Sequence, residues 1–284
     1  MNRGTQRTEV RAFVNEETAN YFTNDEFNRW LNRGCEIFVG RTQPVEANYS
    51  DSSVKNKQEY DLPGRCLKIK AVYWEDDKLQ PMDWRQYLSV QGDNDLDQTG
   101  DPENYIFWNK KLYLYPRRAT DASTTTTSAS LTVSATSIVV GDASGFPEFG
   151  KIKIESEVLG YTAKTATKFT GLTRGIEAST ATTHIAAKTV TERDISIVMY
   201  SRHATLSADT DSPAFPEEYH LAPVYFATAI ALKKHKKFNE AKEWERLFDE
   251  MVSEAKKDLT VKNRDKYSAV KNEESYGEND LGMI

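Results

Sequence analysis

A helix start followed by a continuous apolar face, between residues 22 and 38, constrains the fold more than any other part of the chain. Thr23 stands three residues before Glu26, the spacing at which the two residues cap each other's backbone N–H groups. We therefore predict that a helix begins near Asn24. Apolar or small residues then recur at three- and four-residue spacing and share one face: Phe27, Trp30, Leu31, Gly34, Cys35 and Phe38. Alone, this pattern is typical of an amphipathic helix in any soluble domain.

The overall composition is that of a globular protein with one large domain or two ordinary ones. The chain has 284 residues, of which 38% are hydrophobic and 28% charged. It contains no run of about 18 apolar residues, and residues 1–6 lack an apolar secretion segment, so we expect a cytoplasmic protein without membrane contact. A net charge of -6 argues against a general grip on nucleic acid. The two cysteines, Cys35 and Cys66, are expected to be reduced core residues.

The first 118 residues carry signals for both helices and strands. A short helix is predicted over residues 5–14, and the polar residues 43–59 are interpreted as a loop. Alternation predicts a strand at Cys66–Trp74. Further predicted elements are a short strand ending at residues 80–82, a helical turn capped by Asp83, and a hairpin of residues 105–108 and 112–115. Both hairpin faces are apolar, so we expect them to be covered by other elements or by a neighbouring subunit.

The composition changes at residue 119, where small polar residues begin to dominate. Residues 119–130 are predicted to form a flexible linker, since they offer nothing to build a core. Short strand-like runs follow and describe a small all-β module: residues 137–140, 151–154, 157–161 and 168–170. Residues 194–200 resume a longer strand pattern, which we expect to pair with the hairpin. Residues 119–190 would then be an insertion.

The last third of the chain predicts two helices and a polar tail. Residues 221–232 are apolar almost all round, as in a buried helix, and Pro223 marks either its first turn or a bend. Residues 239–259 form an amphipathic pattern that should fold back on the first helix. The lysine-rich run 233–237 between them either offsets the negative end of the helix dipole or contacts phosphates or an acidic partner; we favour the first interpretation. Residues 260–284 are too polar to order themselves.

Motifs for catalysis or cofactor binding are absent from the sequence. Residues 93–97 resemble the start of a calcium loop, but Gln98 and Asn104 stand where such a loop needs Gly and Glu. The four histidines lack metal-ligand spacing, and neither a nucleophile turn nor a phosphate-binding glycine loop occurs. Glu155 and Glu157 are paired carboxylates, a weak signal among 43 acidic residues. We predict no enzyme, no cofactor, no metal site and no catalytic residue.

The order of these elements carries a family resemblance. A short helix and the capped helix are followed by a β region, then by residues 215–220, an Ala-rich helix and a charged amphipathic helix. This order resembles the head-to-tail adaptor, or connector, proteins of tailed bacteriophages, the tail tubular protein A family. The resemblance covers roughly residues 4–116 and 191–259. The segment 150–184 is similar to a β module that recurs in phage virion proteins, although minimal adaptors lack such an insertion.

The resemblance implies a fold class and a domain organisation. The expected fold is α+β, a discontinuous helical bundle with a small β region and an inserted all-β domain. The adaptor core would comprise residues 1–118 and 191–259, the inserted β domain residues 119–190, and a flexible C-terminal arm residues 260–284. Thr23, Glu26, Phe27, Trp30 and Leu31 are the structural residues that carry the helix pattern.

The resemblance also implies a structural role in the virion neck, reached from the host cytoplasm during assembly. Family members form a homo-oligomeric ring, typically dodecameric, between the portal protein and the tail nozzle or tube protein, and DNA passes through without sequence-specific binding. Tail fibres are further possible partners. The C-terminal arm would reach the portal, with contacts expected from four residues: Lys262, Arg264, Tyr267 and Tyr276.

Two other classes of function stay open at this point. A tail-associated receptor- or glycan-binding protein would recognise its target through the β insertion and should show an exposed aromatic groove there. The insertion offers only four large aromatic residues for this: Phe146, Phe149, Tyr161 and Phe169. A virion hydrolase is disfavoured, because the sequence contains no catalytic constellation.

Overall fold

The computed structural model describes residues 1–16, 21–92 and 98–264, with the backbone alone at residues 90–92 and 259–264. Over these residues the protein is α+β, as predicted, with five α-helices and four sheets that do not close into a barrel. The helices are α1 (Arg3–Phe13), α2 (Asn24–Thr42), α3 (Trp84–Gly92), α4 (Ala222–Lys234) and α5 (Phe238–Arg264). None of the helices in the described part of the chain is long and apolar enough to cross a membrane.

The strands form two groups of two sheets each. The first group has the sheet orders β1-β15-β3-β4 and β2-β7-β6-β5, and the second has β11-β10-β14-β8 and β12-β13-β9. The strands are β1 (Glu46–Asp51), β2 (Glu59–Asp61), β3 (Cys66–Trp74), β4 (Asp77–Lys78), β5 (Gln80–Pro81), β6 (Asn104–Trp108), β7 (Lys111–Tyr115), β8 (Thr124–Thr126), β9 (Ser137–Val139), β10 (Gly150–Ile154), β11 (Glu157–Tyr161), β12 (Ala163–Thr165), β13 (Lys168–Thr170), β14 (Thr189–Glu192) and β15 (Ile195–Ser201).

The chain divides into two compact units, here called the helical unit and the β unit. The helical unit comprises Met1–Pro44 and His203–Ile284, and the β unit comprises Val45–Arg202. The predicted domain boundaries at 118/119 and 190/191 do not coincide with this division, because residues 45–118 group with the strands that follow them. Folding of residues 119–190 as a separate domain stays a prediction.

The helical unit is built around the contact of α2 with α4. Seven buried residues from both ends of the chain form its core: Val10, Phe22, Phe27, Leu31, Val224, Ala227 and Ala231. Gly34 allows the close approach of the two helices, since a Cβ atom there would lie 2.9 Å from the Pro223 Cα atom. α5 folds back on α4 as predicted, with the rings of Phe226 and Phe248 5.5 Å apart.

Helix ends in this unit follow from caps that the sequence indicates only in part. α1 begins at Arg3 instead of residue 5, because the Asn2 side chain accepts a hydrogen bond from the Thr5 backbone N–H. Pro223 lies in the first turn of α4, where its missing N–H costs nothing, and this settles the choice left open by the sequence. α5 continues to Arg264, five residues beyond the predicted end. The first residues of the predicted arm are therefore helical.

Three predictions about the β unit were wrong. The predicted loop 43–59 contains β1 and the start of β2, and the predicted linker 119–130 contains β8. All three are edge strands of their sheets, so one side of each is exposed and few apolar residues are needed. β15 pairs with β1 and β3 instead of the hairpin, which pairs with β2 and β5.

Other predicted elements of the β unit are confirmed. β3 has the predicted bounds, α3 follows Asp83, and the four predicted runs of the insertion correspond to β9, β10, β11 and β13. The hairpin β6–β7 turns through Asn109 and Lys110, both with positive φ. One face of the hairpin packs in a core with β3 and β15. On the other face, the Trp108 ring stacks on Trp84 of α3, with the ring centroids 5.0 Å apart. A second core fills the insertion, around Ile152, Leu159 and Phe169.

Candidate functional site

The structural residues of the first helix pattern cap and pack α2. The Glu26 backbone N–H donates to Thr23 Oγ1 at 3.3 Å, and the Thr23 N–H donates to Glu26 Oε2 at 3.1 Å. Phe27 and Leu31 are fully buried. Trp30 is half-buried and meets the Phe27 ring edge-on at 5.5 Å. These five residues position α2 and leave Trp30 partly accessible beside α4.

The lysine-rich corner after α4 is neutralised by nearby acids. Lys234 Nζ lies 2.6 Å from Glu26 Oε1, and Lys233 pairs with Glu245. Lys237 Nζ lies 3.4 Å from Glu240 Oε2. These pairs favour the interpretation in which the lysines stabilise a helix end, because three of the four charges already have a carboxylate partner.

The predicted arm residues fall at the limit of the description. Lys262 and Arg264 belong to the last turn of α5, where only the backbone is described. Tyr267 and Tyr276 lie outside the described residues, as does the calcium-like segment 93–97. The four residues therefore stay predicted portal contacts.

A buried ionic network joins the loops of the insertion. Arg174 donates to both carboxylate oxygens of Glu157, at 2.7 and 2.8 Å, and to the backbone carbonyls of Thr132 and Thr182. Glu157 is fully buried at the start of β11. Burial opposes its ionisation, but Arg174, the Thr182 amide and His184 together lower the pKa of Glu157 to about 2. Arg174 thus holds three chain segments around one carboxylate.

The paired carboxylates that the sequence suggested are part of this network. His184, 1% exposed, lies between them, with Nδ1 2.8 Å from Glu155 and Nε2 2.8 Å from Glu157. Lys188 lies 2.6 Å from the other oxygen of Glu155. The two carboxylates are therefore used within the protein.

A cleft of about 420 Å³ opens between the two groups of sheets inside the β unit. One side carries residues of the turn after β3 and of β15, including Glu75, Asp194 and Ser196. The opposite side belongs to the insertion: Pro147, Phe149, Gly150, Lys151, Gly160, Tyr161, Thr162, Thr173 and Ile176. Its size lies in the range of about 300–1,000 Å³ typical of ligand pockets.

The polar residues of the cleft are buried and mutually arranged. Asp194 is 4% exposed and accepts two hydrogen bonds from Ser53, at 2.8 and 2.5 Å. Glu192 is 6% exposed and accepts one from the Ser123 N–H at 3.2 Å. Burial raises the pKa of both carboxyl groups, and their mutual repulsion adds to the shift of Glu192. Lys151 of β10 lines the insertion side, with its Nζ atom 2.8 Å from Glu177 Oε1.

One wall of the cleft is apolar and open to solvent. Phe149 is 54% exposed, whereas Tyr161 beside it is buried and donates from its hydroxyl to the Pro147 carbonyl at 2.9 Å. Phe146 and Phe169 are buried in the core of the insertion. Of the four aromatic residues that the sequence offered for recognition, only Phe149 is exposed.

Metal-ligating side chains are scattered over the described residues. Within residues 1–16, 21–92 and 98–264, His, Cys, Asp and Glu form no group of three or more that could hold a metal ion. Burial raises the pKa of the Cys35 thiol to about 12, so this residue is a poor nucleophile.

No family model matches the sequence, and no curated protein matches it.

Sequence reasoning missed the cleft and the ionic network for the same reason. Their residues are brought together from separate strands and loops, at separations that no periodic pattern records. The one local signal was the pair Glu155 and Glu157, and it gave no indication of the partners Arg174 and His184.

Proposed function

We propose that this protein is a phage virion structural protein that forms a ring between the portal and the tail and surrounds the DNA exit channel. The observation that carries the proposal is the shared core of the helical unit. The family resemblance requires that helices from the two ends of the chain build one scaffold, and Phe27 and Leu31 from one end pack with Val224, Ala227 and Ala231 from the other. The proposed role is structural and includes no catalytic step.

Ring assembly needs two different surfaces on each subunit that fit one another. The outer face of α5 is one candidate, because it carries exposed ions in local pairs, such as Arg246 with Glu243 at 2.6 Å. The groove beside Trp30 is the other, lined by Arg29, Arg33 and Ile230 among others. Trp and Arg are the residue types that contribute most to protein interfaces. The proposed partners are further copies of this chain, the portal protein and the tail nozzle or tube protein.

The C-terminal arm is proposed to attach the ring to the portal. α5 extends to Arg264, so a contact segment would start from a helix that is anchored by Phe248, Val252 and Ala255. Lys262 and Arg264 would then contribute charge, and Tyr267 and Tyr276 aromatic area. Such a segment pays its ordering cost when it docks.

The test is the mass of the complex formed with the portal protein encoded by the same genome. We expect the full chain to form a ring on the portal, visible by native mass spectrometry as a multiple of the 32.3 kDa subunit. Removal of residues 260–284, which takes away all four predicted contacts, should weaken attachment without unfolding the protein. As the matched control, replacing Lys68 and Lys78, exposed lysines of the β unit outside both proposed surfaces, with glutamine should leave attachment unchanged.

Two results would contradict the proposal in different ways. If the full chain and the portal stay separate at micromolar concentration, the connector role is wrong. If the truncated chain attaches as well as the full chain, the arm assignment is wrong and the ring must use another surface. A second candidate function, receptor or glycan binding through the insertion, is favoured by one observation, the exposed Phe149 ring beside the cleft.

A further inference from the structure

The cleft of the β unit has the construction of a binding site for a small hydroxylated molecule. It is concave and lies between two separately packed cores, and the paired strands β10, β11, β14 and β15 contribute part of its lining. Sites of this kind are held in place before the ligand arrives, which lowers the entropic cost of binding. The class of ligand follows from the charges in the walls.

Both signs of charge line the cleft. Glu192, Asp194, Glu75 and Asp76 supply carboxyl groups, and Lys151 and Arg193 supply cations that are already paired, with Glu177 and Asp51 respectively. A free anion would meet four carboxyl groups, whereas burial raises the pKa of Glu75, Glu192 and Asp194 and so weakens their attraction for a cation. A purely apolar ligand would strip water from all six without replacing its hydrogen bonds. A neutral ligand with several hydroxyl groups satisfies donors and acceptors together.

The apolar wall of the cleft offers an aromatic surface on which a ligand ring can stack. Phe149, 54% exposed, lines the cleft together with Pro147 and Ile176. An aromatic face carries partial negative charge and attracts the polarised C–H groups of a sugar ring. A ligand that stacks on the exposed Phe149 ring would bury apolar area that the free protein leaves in water.

We infer that the cleft binds a neutral saccharide of about one or two rings, with Phe149 stacked on the sugar face and Lys151, Glu192 and Ser196 hydrogen-bonded to its hydroxyl groups. This inference does not depend on ring assembly. A chain that fails to join a portal can still bind sugar, and a chain that binds no sugar can still form a ring.

The glycine at position 160 provides a variant that blocks the cleft without removing any polar group. A Cβ atom there would meet Ile176 Cδ1 at 3.7 Å and Thr173 Cβ at 3.9 Å, which are ordinary contacts with two lining residues. Gly160→Ala should therefore fold normally and leave space for a ligand. Gly160→Leu should place its branched end in the cleft and exclude the ligand.

The experiment is saturation-transfer-difference NMR of the full chain with a panel of neutral sugars. The panel contains glucose, galactose, mannose, rhamnose, N-acetylglucosamine, N-acetylgalactosamine, lactose and maltose, with spermidine as a cationic probe and phosphate, followed by its ³¹P line width, as an anionic probe. We expect transfer to at least one sugar, retained in Gly160→Ala and lost in Gly160→Leu. Phe149→Ala should raise the Kd about tenfold. Ile185→Ala, which removes another exposed apolar side chain of the insertion, should leave the Kd unchanged.

Several outcomes would overturn the inference. These are the absence of transfer to every sugar of the panel, transfer that persists in Gly160→Leu, or binding of spermidine or phosphate in place of the sugars. Amide spectra report whether each variant is folded. If Gly160→Leu does not fold, the comparison of Phe149→Ala with Ile185→Ala decides, since both side chains are more than half exposed.

Discussion

The helical unit and the insertion of the β unit are held together by different forces. In the helical unit, apolar and small side chains of α2 and α4 interlock, and the ions lie at the surface. In the insertion, a fully buried glutamate is bound by an arginine and a histidine that come from separate loops. Apolar packing tolerates gradual change, whereas a buried ion depends on every partner. The two regions should therefore respond very differently to single substitutions.

The largest expected effect is the loss of Arg174. Arg174→Met leaves the buried Glu157 carboxylate without its bidentate partner and should destabilise the insertion by about 3–5 kcal/mol. Arg246→Met removes a comparable but exposed arginine of α5, with an expected change of at most about 1 kcal/mol. Urea unfolding gives the change in the free energy of unfolding for both variants. Amide hydrogen exchange in β10 and β11 shows whether the loss in Arg174→Met lies in the insertion. Equal destabilisation by Arg174→Met and Arg246→Met would show that the buried ion pair of the insertion is no more important for stability than an exposed pair of α5.

Acid should separate the two regions as well. The pKa of Glu157 is lowered from 4.5 to about 2 on folding, so its stabilising contribution is complete above about pH 4.5 and is lost as the pH falls toward 2. The shift corresponds to about 3 kcal/mol. Asp209 of the helical unit also has a lowered pKa, through Arg7 and Arg3, but it is half-exposed and solvent screens the effect.

Hydrogen exchange between pH 5 and pH 2.5 measures this difference. We expect protection of β10 and β11 to fall more steeply than protection of α2. In Glu157→Gln the pH dependence of β11 should flatten, since the titrating group is gone. A steeper fall in α2 than in β11 would contradict the account.

A smaller effect tests the packing of the helical unit. Gly34→Ala places a Cβ atom 2.9 Å from the Pro223 backbone and should destabilise the unit by about 1–3 kcal/mol. Gly40 lies in the same helix with no atom within 4 Å of such a Cβ, so Gly40→Ala should stabilise the protein by about 0.5–1 kcal/mol. Thermal unfolding of both variants gives the comparison. The same sign of change in both would show that α2 and α4 do not approach as described.

The smallest expected effect concerns the start of α2. Thr23→Ala removes the side chain that accepts from the Glu26 N–H and should cost about 1 kcal/mol, whereas Thr23→Ser retains the hydroxyl and should cost little. Circular dichroism during urea unfolding resolves the two. Equal stability of the Ala and Ser variants would show that the Thr23 hydroxyl does not stabilise the start of α2.

The sequence predicted those parts of the fold in which one residue type repeats at a fixed spacing. The face from Phe27 to Phe38 predicted α2, the apolar run after Pro223 predicted α4, and alternation predicted β3. These elements bury one side or all sides, so periodicity and burial coincide.

The sequence analysis missed strands that are held in place mainly by backbone hydrogen bonds to neighbouring strands. β1 and β8 are edge strands with polar side chains, and their patterns are those of loops. The pairing of β15 with β1 and β3 depends on the topology of the whole unit and not on its own sequence. The cleft and the Arg174 network were missed because their members are distant in sequence and meet only in the folded chain.

The central claim is that helices from the two ends of the chain form one cooperative unit. Native-state hydrogen exchange of Phe27→Ala tests it most directly, because Phe27 belongs to α2 and packs with Val224 and Ala231 of α4. The account predicts that amides of α2 and α4 lose protection together, by about 3–5 kcal/mol, while those of β10 and β11 are unchanged. Loss of protection in α2 alone, with α4 unchanged, would contradict the claim and remove the main support for the connector proposal.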